Sequence, residues 1–267
     1  MNLHHKLTPG QAVSINDLPT SGNEFRDDRD KVEKETKKLR KEMIEWQNSL
    51  YAEGKQKLLI VFQAMDAGGK DGTIRNVFKG INPQGVRVTS FKKPSTKELS
   101  HDYLWRIHRA VPAKGMISIF NRSHYGDVLV VRVDQLAPEE IWKQRYEQIN
   151  EFEKMLSDTG TVILKFFLHI SKEEQKERFQ ERLDFPEKHW KFDENDLIKR
   201  RQWDQYMGAY EDVLNRCTTE WAPWHVIPAD QKWYRNLAIS QVIVETMRKM
   251  NPQYEVVRED LSQIQID

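Results

Sequence analysis

The sequence predicts an α/β fold in three layers, a central parallel sheet with helices on both faces. Short apolar runs of strand length recur at 57–63, 86–91, 116–120, 161–170 and 225–228, and unbroken apolar runs mark strands buried on both sides. Stretches with helical spacing separate them, and strands that alternate with helices build parallel sheets. With 38% hydrophobic and 10% aromatic residues, the 267-residue chain has ample material for one packed core.

In chain order, residues 1–25 are polar with scattered proline and glycine and read as an arm outside the core. From Arg26 onward, Val32, Thr36, Leu39, Met43, Trp46 and Leu50 recur at spacings of four and three, the stripe of a long helix. The first strand, KLLIVFQ over Lys57–Gln63, follows. Ser95 to Glu98 is a capping box opening a helix that carries Leu99, Leu104 and Ile107. Ile141, Ile149, Phe152 and Leu156 mark the next helix, closed by Gly160 as a left-handed cap. Ser171 to Glu174 is a second capping box, for a helix reaching Leu183. Helices over 203–214 and 232–250 complete a single domain spanning 26–250, and 251–267 has no periodicity and reads as a tail.

Composition narrows the function. Lys and Arg total 42 against 41 Asp and Glu, which excludes a surface coated in positive charge for nucleic acid but leaves room for a local basic groove. The single cysteine, Cys217, excludes a disulfide framework or a cysteine metal cage within the chain. No apolar run approaches the ~18 residues of a membrane span, and the N-terminus shows no apolar segment with basic flanks. A cytoplasmic protein with neither membrane nor nucleic-acid partner is expected. The histidines show no metal-ligand spacing, and no G-x-S-x-G occurs.

The first strand runs into Gln63-Ala64-Met65-Asp66-Ala67-Gly68-Gly69-Lys70-Asp71-Gly72-Thr73, and a helical pattern begins at Ile74. Strand, glycine-rich loop and helix are the context of a P-loop. The glycines let backbone N–H groups curl around phosphate oxygens, the helix N-terminus adds its dipole, and Lys70 supplies a mobile charge. Against G-x-x-x-x-G-K-[ST] the fit is imperfect: Ala64 stands at the first glycine and Asp71 at the metal-binding hydroxyl. A surface turn would share this composition, but its place after the first strand points to phosphate. Asp66 within the loop would repel phosphates unless a divalent cation lay between them, so it implies either magnesium or a loop that is not a phosphate site.

After the 116–120 strand come Asn121-Arg122-Ser123-His124-Tyr125-Gly126-Asp127. Ligands of open α/β sheets bind at the carboxyl ends of strands. That places Arg122, able to bridge phosphate oxygens, and Asp127, able to hold a metal or its waters, near the loop. The pair would also suit a structural bridge at a strand end. Arg178 and Arg182 share one helical face, and beyond Pro186 lie Lys188, Lys191 and Trp190. A charge run is usually a solvated face; here the cations outlast their matching acids, and the segment 178–200 reads as a lid over an anion.

At these residues the chain resembles the type-2 polyphosphate kinase family, P-loop enzymes related in fold to thymidylate kinase. The resemblance runs from about Trp46 to Met250 and rests on the Asp66–Gly72 loop, on Phe120-Asn121-Arg122-Ser123-His124-Tyr125, and on Arg182, Pro186 and Lys188-His189-Trp190-Lys191-Phe192. It implies magnesium-dependent transfer of the terminal phosphoryl of inorganic polyphosphate to adenine, and by extension guanine, nucleotides, commonly in a homo-oligomer. Asn121 resembles the class that accepts AMP as well as ADP. Gly126 departs from the acidic residue usual there, which leaves the preference between AMP and ADP open.

On that resemblance, Lys70 and the amides of Ala67, Gly68, Gly69, Asp71, Gly72 and Thr73 hold the phosphates around the transferred group. Asp66 and Asp127 hold magnesium. Arg122, Arg178 and Arg182 stabilise the moving phosphoryl, and Lys188 and Lys191 grip the polymer. Lys92 and Lys93, with Asn121, line the nucleotide site. Two other readings share the loop: an ATP-dependent nucleoside monophosphate kinase, and a non-enzymatic phosphate-binding protein.

Overall fold

In the computed structural model, which describes residues 5–254, all five expected strands join one parallel sheet in the order β2-β3-β1-β4-β5. They are β1 Lys57–Gln63, β2 Val86–Ser90, β3 Ile117–Asn121, β4 Thr161–His169 and β5 Trp224–Pro228. The helices are α1 (Arg29–Glu53), α2 (Lys70–Val77), α3 (Thr96–Leu99), α4 (Trp105–His108), α5 (Val130–Val133), α6 (Glu139–Asp158), α7 (Lys172–Asp184), α8 (Glu194–Arg201), α9 (Trp203–Arg216) and α10 (Lys232–Met250).

β1 lies at the centre, and Leu58 to Phe62 are wholly buried. From β1 the chain builds β2 and β3 to one side, then β4 and β5 to the other. Connections leaving the carboxyl ends in opposite directions open a crevice above the central strand, where ligands of such sheets bind. β2 is an edge strand, with Arg87, Val88 and Ser90 exposed, so its apolar run reflects one-sided burial. Asp28 caps α1, and Gly54 ends it with φ 63°.

Three expectations are corrected. Residues 5–25 are not an arm outside the core. Lys6 bridges His225 antiparallel, the Leu7 amide donates to the Trp224 carbonyl at 2.9 Å, and Ile15 is 2% exposed within the core. The stretch covers the open edge of β5, as edge strands require; its apolar residues are too widely spaced to show a period. The capping box at Ser95 forms in full, but its helix ends at Leu99. Asp102 accepts from the Leu104 amide at 2.9 Å, a local turn competing with the helix, and Ile107 falls in the separate α4. At Ser171 only half a box forms: its hydroxyl accepts from the Glu174 amide at 3.1 Å, while the Glu174 carboxylate turns to Arg178 instead. Of the expected tail 251–267, residues 255–267 lie outside the described residues, as do residues 1–4.

Candidate active site

The turn from β1 into α2 is tight. Ala67 (φ 60°) and Gly69 (φ 94°) adopt left-handed backbone, and a Cβ on Gly69 would collide with Nη1 of Arg235. One on Gly68 would come within 2.8 Å of the Met65 carbonyl oxygen. No side chain caps α2, so the amides of its first turn are available to an anion. Lys70 is 8% exposed, and its Nζ donates to the carbonyls of Ala64 (2.8 Å) and Met65 (3.3 Å). Burial, and next the charge of Arg122, lower its pKa from 10.5 to about 8. A phosphate in the loop would restore the missing negative partner. Thr73 differs from expectation: its amide, expected to meet phosphate, donates to the Gly69 carbonyl at 2.9 Å. It is fully buried and its hydroxyl donates to the Gly69 carbonyl at 2.9 Å, so the side chain completes the helix and does not face the crevice.

β3 ends level with β1, Phe62 opposite Asn121, and the Arg122 amide donates to the Phe62 carbonyl at 3.1 Å. Arg122 has φ 63°, a conformation costing about 1 kcal/mol or more for a residue with a side chain. It aims the guanidinium at the loop, where Nη2 donates to Asp66 Oδ1 at 3.1 Å. Asn121 Nδ2 donates to Asp71 Oδ1 at 2.6 Å. The turn is held from beneath. Gln63 Nε2 donates to Ser123 Oγ at 3.0 Å, and Glu153 pairs with His124 (3.0 Å), Tyr125 (2.8 Å) and Lys165 (2.6 Å). These four residues are fully buried. Burial opposes ionisation of Glu153, but Lys165 and His124 outweigh it and hold its pKa below the ordinary carboxyl range.

The lid segment folds over the loop. Arg182 donates to Asp196 (2.7 Å) and to the Lys191 carbonyl (2.9 Å), tying α7 to α8. Lys188 pairs with Glu181 at 3.0 Å, and Lys191 lies over the ring of Trp190. Arg178 is buried, and all three of its nitrogens are engaged: with Glu174 (2.6 Å), the Ala67 carbonyl (2.9 Å), and the carbonyls of Ala229 (2.6 Å) and Asp230 (3.1 Å). It clamps the phosphate loop to the end of β5.

A cavity of about 720 Å³ lies between loop and lid. Asp66, Lys70, Asp71, Asn121, Arg122, Arg178, Arg182, Lys188, Lys191 and Lys92 line it, together with Ala67, Gly68, Gly69 and Gly72. Lys93 is exposed and, with Thr73 and Asp127, is not among its lining residues. The expected partnership of Asp66 and Asp127 therefore does not form. Asp127 pairs with Arg145 at 3.1 Å, and burial raises its pKa despite that charge.

Sequence reasoning missed Arg75, Phe91, Asp196, Lys232 and Arg235, which also line the cavity. Asp196 had no signal beyond its closeness in sequence to the lid lysines. Its pKa is raised by burial and then by Asp66, so two acids share the space. Their oxygens fit a hard divalent cation. Among the described residues no three acids, histidines or cysteines gather to hold a metal alone, so phosphate oxygens or water would complete its shell.

Comparisons with known proteins point to one family. The family profile described as Polyphosphate kinase 2 (PPK2) matches residues 26–255. The AMP/ADP-polyphosphate phosphotransferase of Meiothermus ruber is 59% identical over 216 residues, 81% of each chain. The ADP-polyphosphate phosphotransferase of Rhodopseudomonas palustris is 44% identical over 261 residues, 93% of this chain and 90% of that one. The solved structure of Polyphosphate Kinase 2 from Arthrobacter aurescens TC1 superposes with a TM-score of 0.91 at 39% identity, covering 96% of this chain and 92% of that one.

Proposed function

The chain belongs to the polyphosphate kinase 2 family, and on that premise we propose that it moves the terminal phosphoryl group of inorganic polyphosphate to AMP and ADP, forming ADP and ATP. It is a polyphosphate-dependent nucleotide kinase. One observation carries the reading: Lys70, at the carboxyl end of the central strand, opens on a cavity ringed by cations from separate elements.

Phosphoryl transfer asks for alignment and charge neutralisation more than covalent help. A phosphate oxygen of the nucleotide attacks the terminal phosphorus, the bond to the next bridging oxygen breaks, and the polymer leaves one unit shorter. The acceptor phosphate is already ionised at neutral pH, so no general base is needed. Lys70 leaves the loop carbonyls to meet the phosphates, and the α2 amides hold the oxygens beside them. Arg122, preset by its backbone, releases Asp66 and faces the moving group. Arg178 keeps the loop in shape, and Arg182 holds the lid closed. Lys188 and Lys191 grip the polymer, while Lys92 lies at the nucleotide side.

Kinases of this family generally use a divalent metal. We take it to be magnesium, held by Asp66 with Asp196 nearby, where it would neutralise phosphate charge. Homo-oligomer formation, use of guanine nucleotides and a cytoplasmic location belong to the same proposal. No helix among the described residues is long and apolar enough to cross a membrane.

The test is ATP formation by purified protein from long-chain polyphosphate, magnesium, and AMP or ADP. ATP appearing only with polyphosphate supports the reading. Phosphorylation of AMP by ATP without polyphosphate would favour a nucleoside monophosphate kinase, and binding without turnover a regulatory protein.

A further inference from the structure

Helix α7 reaches the phosphate loop at two consecutive carbonyls. Arg178 holds the carbonyl of Ala67 at 2.9 Å, and Gln175 Nε2 donates to the carbonyl of Asp66, also at 2.9 Å. Gln175 is 0% exposed, and its spacing of three from Arg178 puts both on one helix face. Its other end is engaged as well. Arg200 Nη1 donates to Gln175 Oε1 at 3.0 Å and to the Lys172 carbonyl at 2.6 Å. Arg200 belongs to α8, the second helix of the lid, one turn beyond Asp196, which accepts from Arg182 of α7. Two crosslinks thus join the lid helices, and the one through Gln175 continues into the loop.

An amide has one donor end and one acceptor end, whereas a guanidinium can only donate. Arg200 therefore fixes the orientation of the Gln175 amide: the oxygen faces α8, which leaves Nε2 to face the loop. What Nε2 holds is the peptide between Asp66 and Ala67. In a trans peptide, fixing the Asp66 carbonyl also fixes the Ala67 amide, which points the opposite way. Ala67 has φ 60°, a conformation that persists in a residue with a side chain only where the surroundings impose it. Gln175 and Arg178 impose it, one on each side of that residue.

Resting on the functional reading above, we propose that Gln175 is a positioning residue for phosphoryl transfer: oriented by Arg200 of the lid, it sets the Asp66–Ala67 peptide so that the Asp66 carboxylate meets the divalent cation. Neither Gln175 nor Arg200 is among the residues that line the cavity, so the effect passes through the loop. It makes the geometry at Asp66 depend on α8 being docked.

Gln175→Met, Gln175→Glu and Arg200→Met test this against wild type by two measurements. One is the magnesium concentration for half-maximal ATP formation from polyphosphate and ADP; the other is thermal melting with and without magnesium and ADP. Gln175→Met loses both bonds, whereas Gln175→Glu keeps an acceptor for Arg200 but cannot donate to the loop. Both should raise the half-maximal magnesium about fivefold, as expected for one lost hydrogen bond. Magnesium with ADP should raise their melting temperatures less than that of wild type. At saturating magnesium their KM for each substrate should stay within about twofold of wild type. Unliganded Gln175→Glu should melt within a few degrees of wild type, because its bond to Arg200 becomes a charged one, while Gln175→Met should melt lower. Arg200→Met, in which the amide is free to turn over, should raise the magnesium requirement by a smaller factor. Adding Gln175→Glu to Asp66→Asn should change the requirement little further, since the acid to be positioned is gone. A requirement that rises in Gln175→Met but not in Gln175→Glu would tie the effect to packing and overturn the inference. So would an unchanged requirement in both Gln175 variants or in Arg200→Met, a fully additive double variant, or an equal fall in melting temperature for Gln175→Glu and Gln175→Met. A wild type that forms no ATP from polyphosphate would overturn the functional reading, and this inference with it.

Discussion

Lys70 sits in a protein-made cage of carbonyl oxygens with a depressed pKa of about 8, and this has consequences at the scale of a single residue. The charged form is the one that binds phosphate, so kcat/KM should fall as pH rises through about 8, while the limb in kcat, where phosphate is bound, should lie higher. The unfolded chain keeps the ordinary lysine value of 10.5. Between pH 8 and 10.5 it therefore holds more protons than the folded one. Unliganded stability should rise across that window and be lost as pH falls through it, and Lys70→Met should abolish the trend. Two melting curves, at pH 7.5 and about 10, check this; a wild-type trend that survives in Lys70→Met would assign it elsewhere. Asp66 and Asp127 also part company here. Asp66→Asn should raise the magnesium needed for half-maximal activity several-fold, whereas Asp127→Asn, which frees Arg145, should lower stability without that shift. Equal shifts in both would return Asp127 to the metal. The loop was legible because glycine and lysine after a strand have a chemical reason to be there. Asp127 misled because its neighbours in sequence line the cavity while its side chain turns to α6, a contact no spacing encodes.

At the scale of elements, the lid is a pair of helices, α7 and α8, joined through Arg182 to Asp196 and anchored by Lys199 on Asp134. Its cations are satisfied within the lid in this state: Lys188 by Glu181 and Lys191 by the face of Trp190. Polyphosphate must outcompete these exposed contacts, which are individually weak. Replacing Lys188 and Lys191 together by alanine should therefore raise the polyphosphate KM more than the nucleotide KM and flatten its dependence on salt. Equal effects on both substrates would make the segment a nucleotide contact. The lid was readable as a run of cations after a proline, but the acids that hold it were not, because Asp193 and Asp196 look like ordinary helix-capping residues. Likewise Glu153 and Lys165 lie on different elements, α6 and β4. Each reads alone as a surface charge, and only packing turns them into the buried support of the Arg122 turn. Breaking one partner strands the other, so Glu153→Gln should cost about 3 kcal/mol or more of stability, measurable by denaturant unfolding. A change below about 1 kcal/mol would mean that the cluster relaxes freely.

For the whole molecule, the net charge of +1 conceals a local imbalance, since ten lysines and arginines line the cavity above β1 against five acids. Strand number, parallel pairing and the place of the loop followed from apolar runs and their spacing. The order of the strands, which opens the crevice above β1, had no local signal, and neither did the N-terminal stretch along β5, whose contacts lie about 200 residues away in sequence. The central claim is that the polymer gives its terminal phosphoryl at the Lys70 loop. ³¹P NMR of AMP, magnesium and polyphosphate of defined length, with wild type and with Lys70→Ala, measures it directly. The account predicts that each phosphate gained by the nucleotide pool is one lost from the polymer, and that Lys70→Ala slows this by at least ~100-fold while keeping the wild-type fold. Nucleotide phosphorylation that leaves the polymer intact, or that proceeds within a few-fold of wild type in Lys70→Ala, would contradict it.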